Sequence, residues 1–428
     1  MKTVFVTFLF LGLFSDTFSQ VEELIFSGKI KSVQLHSFGN QLAAPILKLN
    51  SSDRLELHFD DLDANVKNYS YTYELCNADW TPAILSHFDY IQGFSQVRIN
   101  TYRISSIAFT RYTHYQAVLP DRNSVPSKSG NYILKVFLNG DPSKIVFTRR
   151  FLVFEEKSTI NAEIQQPFNG QIFRSHQKVQ FRINLNESID VINPLQQVKV
   201  VIQQNNRWDN SITGLRPAFF SRKTLEYNTE NEAVFPSGKE WRWLDLRSFR
   251  LQSDRVESAN YGRNNTEIFV RPDGARSQQR FNFYRDANGR YYIDASENIN
   301  PFWQSDYASV KFTFLPPENQ PFNGKDLFLF GQLNNYNLND SVKMKWNEEK
   351  AVYETSLFLK QGYYDYTYVT IDKNDRQRKS SFTETEGNFW ETENEYTILV
   401  YYRSMGGRAD ELIGIARVNS LTGRKGLR

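Results

Sequence analysis

The chain has 428 residues, 40% of them hydrophobic, and a formal net charge of only +3. That length argues for about three domains at roughly 150 residues each. So small a charge gives no reason to expect nucleic acid or an acidic membrane as partner. With 34 Phe, 23 Tyr and one cysteine, the composition favours pleated, half-buried strands and excludes an internal disulfide framework.

The N-terminus combines Lys2, the apolar run Val4 to Phe14 and the small residues Thr17 and Ser19. This spacing predicts a signal peptide over residues 1–19, cut before Gln20. The run is too short to span a bilayer, and no cysteine follows it to carry a lipid anchor. The mature chain is therefore expected to be exported to the periplasm without direct membrane insertion.

Beyond residue 20 the period is two. "RLELHFDDL" (54–62) alternates Leu55, Leu57 and Phe59 with polar neighbours, and Tyr69, Tyr71, Tyr73 and Leu75 share one face of the next strand. "NYILKVFLNGD" and "KIVFTRRFLVFEE" predict a hairpin turning at Asn139-Gly140, and "RFNFYRDANGRYYIDAS" another at Asn288-Gly289. "QPFNG" occurs at 166–170 and again at 320–324, each time where composition shifts, and is read as a domain entrance. Helical periodicity is nearly absent. Short strands at regular spacing predict an all-β chain of three tandem β-sandwich domains, immunoglobulin-like or early-set in type. Their expected limits are 20–157, 158–317 and 318–428.

A search for chemistry comes back almost empty. Cys76 sits in "YTYELCNADWTP" (71–82), but none of the five histidines (His36, His58, His87, His114, His176) lies near it in a nucleophile–base signature. A small structural cysteine at a strand end is the expectation. No HxH, HExxH or CxxC spacing marks a metal site. "DLDANV" (61–66) starts like a calcium loop, but Val66 replaces the glycine of the sharp turn and Thr72 the bidentate Glu. There is no GxSxG, phosphate loop or dinucleotide fingerprint, so no enzyme activity, metal or cofactor is expected.

"KEWRWLDLRSFRLQSDR" (239–255) interleaves aromatic and basic residues, the composition that interfaces favour. Trp241, Trp243 and Arg242, with Trp208, are the candidate partner contacts. Residues 327–374, with "FGQLNNY" and "YETSLFLKQGYYDYTYVTID", resemble the early-set glycogen-binding modules. The resemblance implies sugar stacking on Tyr336, with Trp346 nearby. The second stacking Trp is missing from "DRQRKSSF" (375–382), and Thr367 stands in place of the usual strand lysine. An envelope carbohydrate-binding protein is the alternative reading this supports.

The first domain carries a more specific likeness. "IKSVQLHSFGNQLAAPILKLN", "LHFDDL", "YTYELCNADWTPAIL", "FDYIQGF", "RYTHYQAVLP", "SGNYILKVF" and "TRRFLVFEE" follow one another in the order of one family, as do "QNNRWDNSITGLRP" and "ADELIGIARVNS". The chain resembles the type IX secretion system plug proteins of the Bacteroidetes. That resemblance implies a periplasmic protein, monomeric outside its complex. Its partner would be the giant outer-membrane β-barrel translocon, sealed by the plug when no cargo is engaged. The tail "TGRKGLR" lacks a folded sorting domain, as expected for machinery and not for cargo.

Overall fold

The computed structural model describes residues 23–263 and 265–424, so the signal peptide expected over 1–19 lies outside the described residues. The first sandwich packs the sheet Ile30–Ser37, Leu55–Asp61, Thr113–Leu119, Thr101–Ile104 on the sheet Ile46–Lys48, Ile145–Phe154, Gly130–Leu138, Tyr69–Cys76, Val97–Arg98. The period-two pattern is realised side by side: Leu55, Leu57 and Phe59 from one sheet meet Tyr69, Tyr71, Tyr73 and Leu75 from the other in one core. The strands Gly130–Leu138 and Ile145–Phe154 pair antiparallel across Asn139 (φ +55°) and Gly140 (φ +69°). Both turn residues are left-handed, as a tight hairpin requires.

The middle sandwich begins at Ser158–Gln165, which pairs with His176–Leu185 and through it with Thr224–Tyr227 and Val234–Pro236. Its second sheet holds Val198–Gln204, Glu395–Tyr402 and Glu411–Asn419, in that order. Ile164, Val179 and Ile183 on one side and Ile202, Ile398 and Ile413 on the other close its core.

A third sandwich is inserted between these halves. Gly362–Asp372 pairs with Arg242–Asp245, Tyr291–Ile293 and Lys325–Phe330; the facing sheet runs Val256–Tyr261, Thr266–Val270, Tyr307–Leu315, Val352–Lys360, Lys345–Asn347. The boundary expected at 317/318 therefore cuts through a core. Tyr307–Leu315, before it, pairs over its length with Val352–Lys360, after it. The second "QPFNG" is a connection inside this sandwich, where Gly324 (φ +67°) turns the chain into Lys325–Phe330.

The hairpin expected at Asn288-Gly289 is only half present. The turn forms, with both residues at positive φ, but residues 280–286 are not a strand. Tyr291 pairs instead with Tyr364 from the far end of the insertion. A local turn signal could not reveal that its second arm had a better partner about seventy residues on.

Nesting makes the C-terminal third dependent on what precedes it. Residues 318–428 expressed alone leave Gly362–Asp372 without Arg242–Asp245 and Tyr291–Ile293, and Glu395–Tyr402 without Val198–Gln204. Unpaired edges of that length do not hold a sheet in water. This fragment is expected to be unfolded by circular dichroism and amide dispersion. A cooperative thermal transition in it would contradict the nested pairing.

Candidate functional site

The stretch around Cys76 proves to be a seam between the first and middle sandwiches. Cys76 is fully buried with Ala78, Trp80, Ile133 and Leu152 of the first sandwich and Val201, Leu399, Tyr401 and Leu412 of the middle one. Burial pushes its thiol up to about 12, which removes the thiolate that a nucleophile needs. Its neighbours latch the seam. The Ala78 amide donates to Asp410 Oδ2 at 3.0 Å, and Arg403 donates to Asn77 Oδ1 at 2.7 Å. Asp410, itself buried, also binds Lys199 (2.9 Å) and Arg403 (2.7 Å). Trp80 holds φ +66°, a conformation bulky side chains avoid. Its ring is gripped by the Arg150 guanidinium at 4.3 Å and the edge of Trp208 at 4.8 Å.

A second seam joins the first sandwich to the insertion around Asp60. This carboxylate accepts from His114 Nδ1 (2.7 Å), Lys360 Nζ (2.5 Å) and Tyr307 Oη (2.6 Å), and all four residues are buried. Burial alone would raise the Asp60 carboxyl; Lys360 and His114 outweigh it and hold it below its ordinary range. Burial lowers His114 in spite of Asp60, so the imidazole is neutral and Nδ1–H is the donor. Phe302 of the insertion stacks on His58 at 4.0 Å and 3°. Asp306 caps the Phe109 and Thr110 amides at 2.9 and 3.0 Å.

The residues that the sequence marked as partner contacts are divided: Trp241 and Arg242 lie at the third seam, between insertion and middle sandwich, Trp243 within the insertion, and Trp208 in the first seam. Arg242 and Trp241 are buried, not surface groups. Arg242 pairs with Asp273 (2.7 Å) and Glu386 (2.9 Å), because Arg242 and Leu244 take the inward face of their strand. Trp243 is half-buried and stacks on Tyr363 at 6.3 Å; Trp208 is half-buried against Trp80. Tyr336 is covered as well. Arg207 lies over its ring at 5.4 Å, Phe330 meets it at 5.4 Å, and its hydroxyl donates to the Gly289 carbonyl. Trp346 packs on Tyr353 against a different core cluster. Tyr336, the ring the resemblance would stack on sugar, is half-buried beneath Arg207 and lies apart from the half-buried Trp346.

Exposed apolar side chains gather instead on the first sandwich. The outermost strand of each sheet, Val97–Arg98 and Thr101–Ile104, is joined by two residues, so both open edges lie on one side. All four residues of Thr101–Ile104 are exposed, and the chain continues through Ile107 (74% exposed) and Phe109 (73%). The preceding segment presents Ile84, Phe88 (91%) and Phe94. Natural edge strands are usually guarded by charge or covered by other elements. An edge carrying Tyr102, Ile104, Ile107 and Phe109 is suited to being covered by another surface.

Residues 30–155, the whole of this sandwich, match the family described as Type 9 secretion system plug protein 1st domain. The chain belongs to the type 9 secretion system plug protein family. It is also similar to the crystal structure, at 2.30 Å resolution, of a hypothetical protein from Parabacteroides merdae ATCC 43184. The two are 31% identical with a TM-score of 0.89, over 94% of this chain and 100% of that one. The arrangement of three sandwiches is thus shared with that protein. No curated protein matches the chain. Membership places the plug chain in the type IX secretion system of the cell envelope. No helix of the described residues is long and apolar enough to cross a membrane.

Two measurements check the seams. Cys76→Ser is expected to fold and to lose only ~1–2 kcal/mol from polar burial. Asp410→Ala, which strands the buried Ala78 amide and takes the carboxylate from the part-exposed Arg403 and Lys199, should lose clearly more, about 3 kcal/mol in urea unfolding. Equal losses would refute the latch.

A pH test follows from Glu240, raised by burial to about 8, and Asp286, raised by burial to about 6, both beside the third seam. Folded-state values above the ordinary ones mean that the native protein holds protons that the unfolded chain releases. Their contribution is full below the unfolded values and is lost as pH rises through the folded ones. The buried histidines, lowered by burial, act in the opposite sense below about pH 7, so the test is the difference: the wild-type urea midpoint relative to that of Glu240→Gln should decline from about pH 5 to about pH 8. An identical slope in that variant would remove Glu240 from the account.

Proposed function

We propose that this protein is the periplasmic plug of the type IX translocon: it binds the periplasmic mouth of the giant outer-membrane β-barrel and seals it when no cargo is engaged. The observation that carries the reading is the coincidence of the family match over 30–155 with the exposed apolar edge on that same sandwich. The role is mechanical. A cap needs a body that does not deform and a surface that fits the rim of the pore; the three seams supply the first and the open edge the second. Such a cap must leave when cargo arrives. That calls for a reversible interface of about 1,200–2,000 Å² with a polar border, not an obligate apolar one. Arg98 and Arg103, interleaved with Val97, Tyr102 and Ile104, supply that border.

Deleting the gene is expected to leave export largely working and to make the outer membrane leaky to large polar antibiotics such as vancomycin. The leak should vanish when the barrel is deleted too; a leak that persists in the double deletion would sink the proposal. At residue level, the triple substitution Phe88→Asp, Phe94→Asp, Ile107→Asp should keep the melting temperature of the isolated protein, because these side chains are exposed. It should abolish co-purification with a tagged translocon. Undiminished co-purification would place the contact elsewhere.

A further inference from the structure

Beneath the second seam the first sandwich gathers side chains that the plug role does not use. Cross-strand register sets His36 opposite Glu56 and Gln34 opposite His58. Register partners share a face, and so do residues two apart on a strand; all four side chains therefore project from the same side of the sheet. His36, Glu56 and His58 each offer one ligand atom within 4.8 Å of the others. Both histidines are 2% exposed, whereas Glu56 reaches solvent and leaves an entry path.

The hydrogen bonds decide which ring atoms are open. His36 Nδ1 lies 3.0 Å from the Ser37 carbonyl, an acceptor only, so Nδ1 carries the proton and Nε2 a lone pair. The Asp60 carboxylate only accepts, so His114 Nδ1 donates to it, and the free Nε2 of His114 lies 3.2 Å from His58 Nδ1, in place to accept its N–H. His58 Nε2 is thereby a lone pair as well. Neither Nε2 atom has a hydrogen-bond partner, and both are buried. The Glu56 carboxylate is already oriented through Oε2 by the Gly39 amide at 3.0 Å.

Two buried imidazoles stripped of every partner at Nε2 are costly unless something occupies that space. Their outer nitrogens donate to a backbone carbonyl and to a His–Asp chain, the arrangement that fixes the tautomer of metal-ligating histidines. We propose that His36 Nε2, His58 Nε2 and the Glu56 carboxylate bind one divalent transition-metal ion of the zinc class. At metal–ligand bonds of about 2.0–2.2 Å, tetrahedral ligand atoms stand roughly 3.3 Å apart, so the three atoms, within 4.8 Å of one another, draw together on binding. The fourth position falls to water or to Gln34 Oε1, a buried acceptor on the same face that also lacks a partner. The ion clips the strand Ile30–Ser37 to Leu55–Asp61 directly under the insertion. HxH spacing is absent because the ligands come from two strands.

The test uses the untagged mature protein, stripped with chelator and titrated with cobalt(II) and zinc(II). One equivalent of cobalt is expected to bind with visible d–d absorption, displaced by zinc, and zinc should raise the melting temperature. Glu56→Gln, whose side chain is half-exposed and spared by the fold, should weaken binding by about tenfold or more. His36→Gln should abolish it, while His87→Ala and His176→Ala change nothing. Circular dichroism identifies variants that fold. No cobalt absorption, or one equivalent still bound with unchanged affinity in folded Glu56→Gln, would overturn the site in favour of buried water.

Discussion

The Asp60 carboxylate is the constraint around which the protein closes. A charge at zero exposure is tolerated only when it is paired and its remaining lone pairs are satisfied. Here the partners come from elements far apart in the chain: His114 across the sheet, and Lys360 and Tyr307 from the insertion. Each must be in place for the others to be neutralised. The insertion cannot swing away from the first sandwich without stranding a buried ammonium and a buried carboxylate at once. The other seams also use buried carboxylates: Asp410, paired with Arg403 and Lys199 of its own sandwich, accepts the Ala78 amide across the first seam, and Glu386 stands between Arg242 and Arg276 of the insertion. Three sandwiches that could have been beads on a string are thereby one body.

That construction makes a rigid body. The groups that the sequence singled out are engaged by structure: Cys76 by packing, Arg242 by two carboxylates, Tyr336 by Arg207 and Phe330. What remains open is an edge of the first sandwich, whose outermost strands Val97–Arg98 and Thr101–Ile104 pair with no further strand among the described residues. The polar face of the opposite edge strand, Ile30–Ser37, is sealed by the insertion. The sandwich therefore has one face given to internal assembly and one side left free, and the family match falls on this unit.

Nesting adds a second consequence. The middle sandwich cannot complete its second sheet until Glu395–Tyr402 and Glu411–Asn419 arrive, after the whole insertion has been made. Long-range pairing of this kind meets its closure entropy before its contacts. The insertion, whose strands all lie between Arg242 and Asp372, brings those ends together when it folds and shortens the loop that the middle sandwich must close.

Much of this was legible in the residues alone. Alternation of Leu55, Leu57 and Phe59 and of Tyr69, Tyr71 and Tyr73 determined strands and their inward faces, because burying one face of a pleated ribbon needs nothing beyond period two. Asn139-Gly140 determined a hairpin, because both residues accept positive φ. The first-domain motifs determined the family. Alternation could not say what happens to the other face: His58 and Asp60 read only as polar neighbours of Leu57 and Phe59, and only the arrival of Lys360, Tyr307 and Phe302 made them a buried cluster. Nor could local pattern say that Gly362–Asp372 prefers Arg242–Asp245, or that the chain leaves a sandwich half-built and returns to it. Strand pairing is a choice among distant edges with similar backbones. It is settled by the packing of whole faces and the neutralisation of buried charge, which exist only once the tertiary structure has formed.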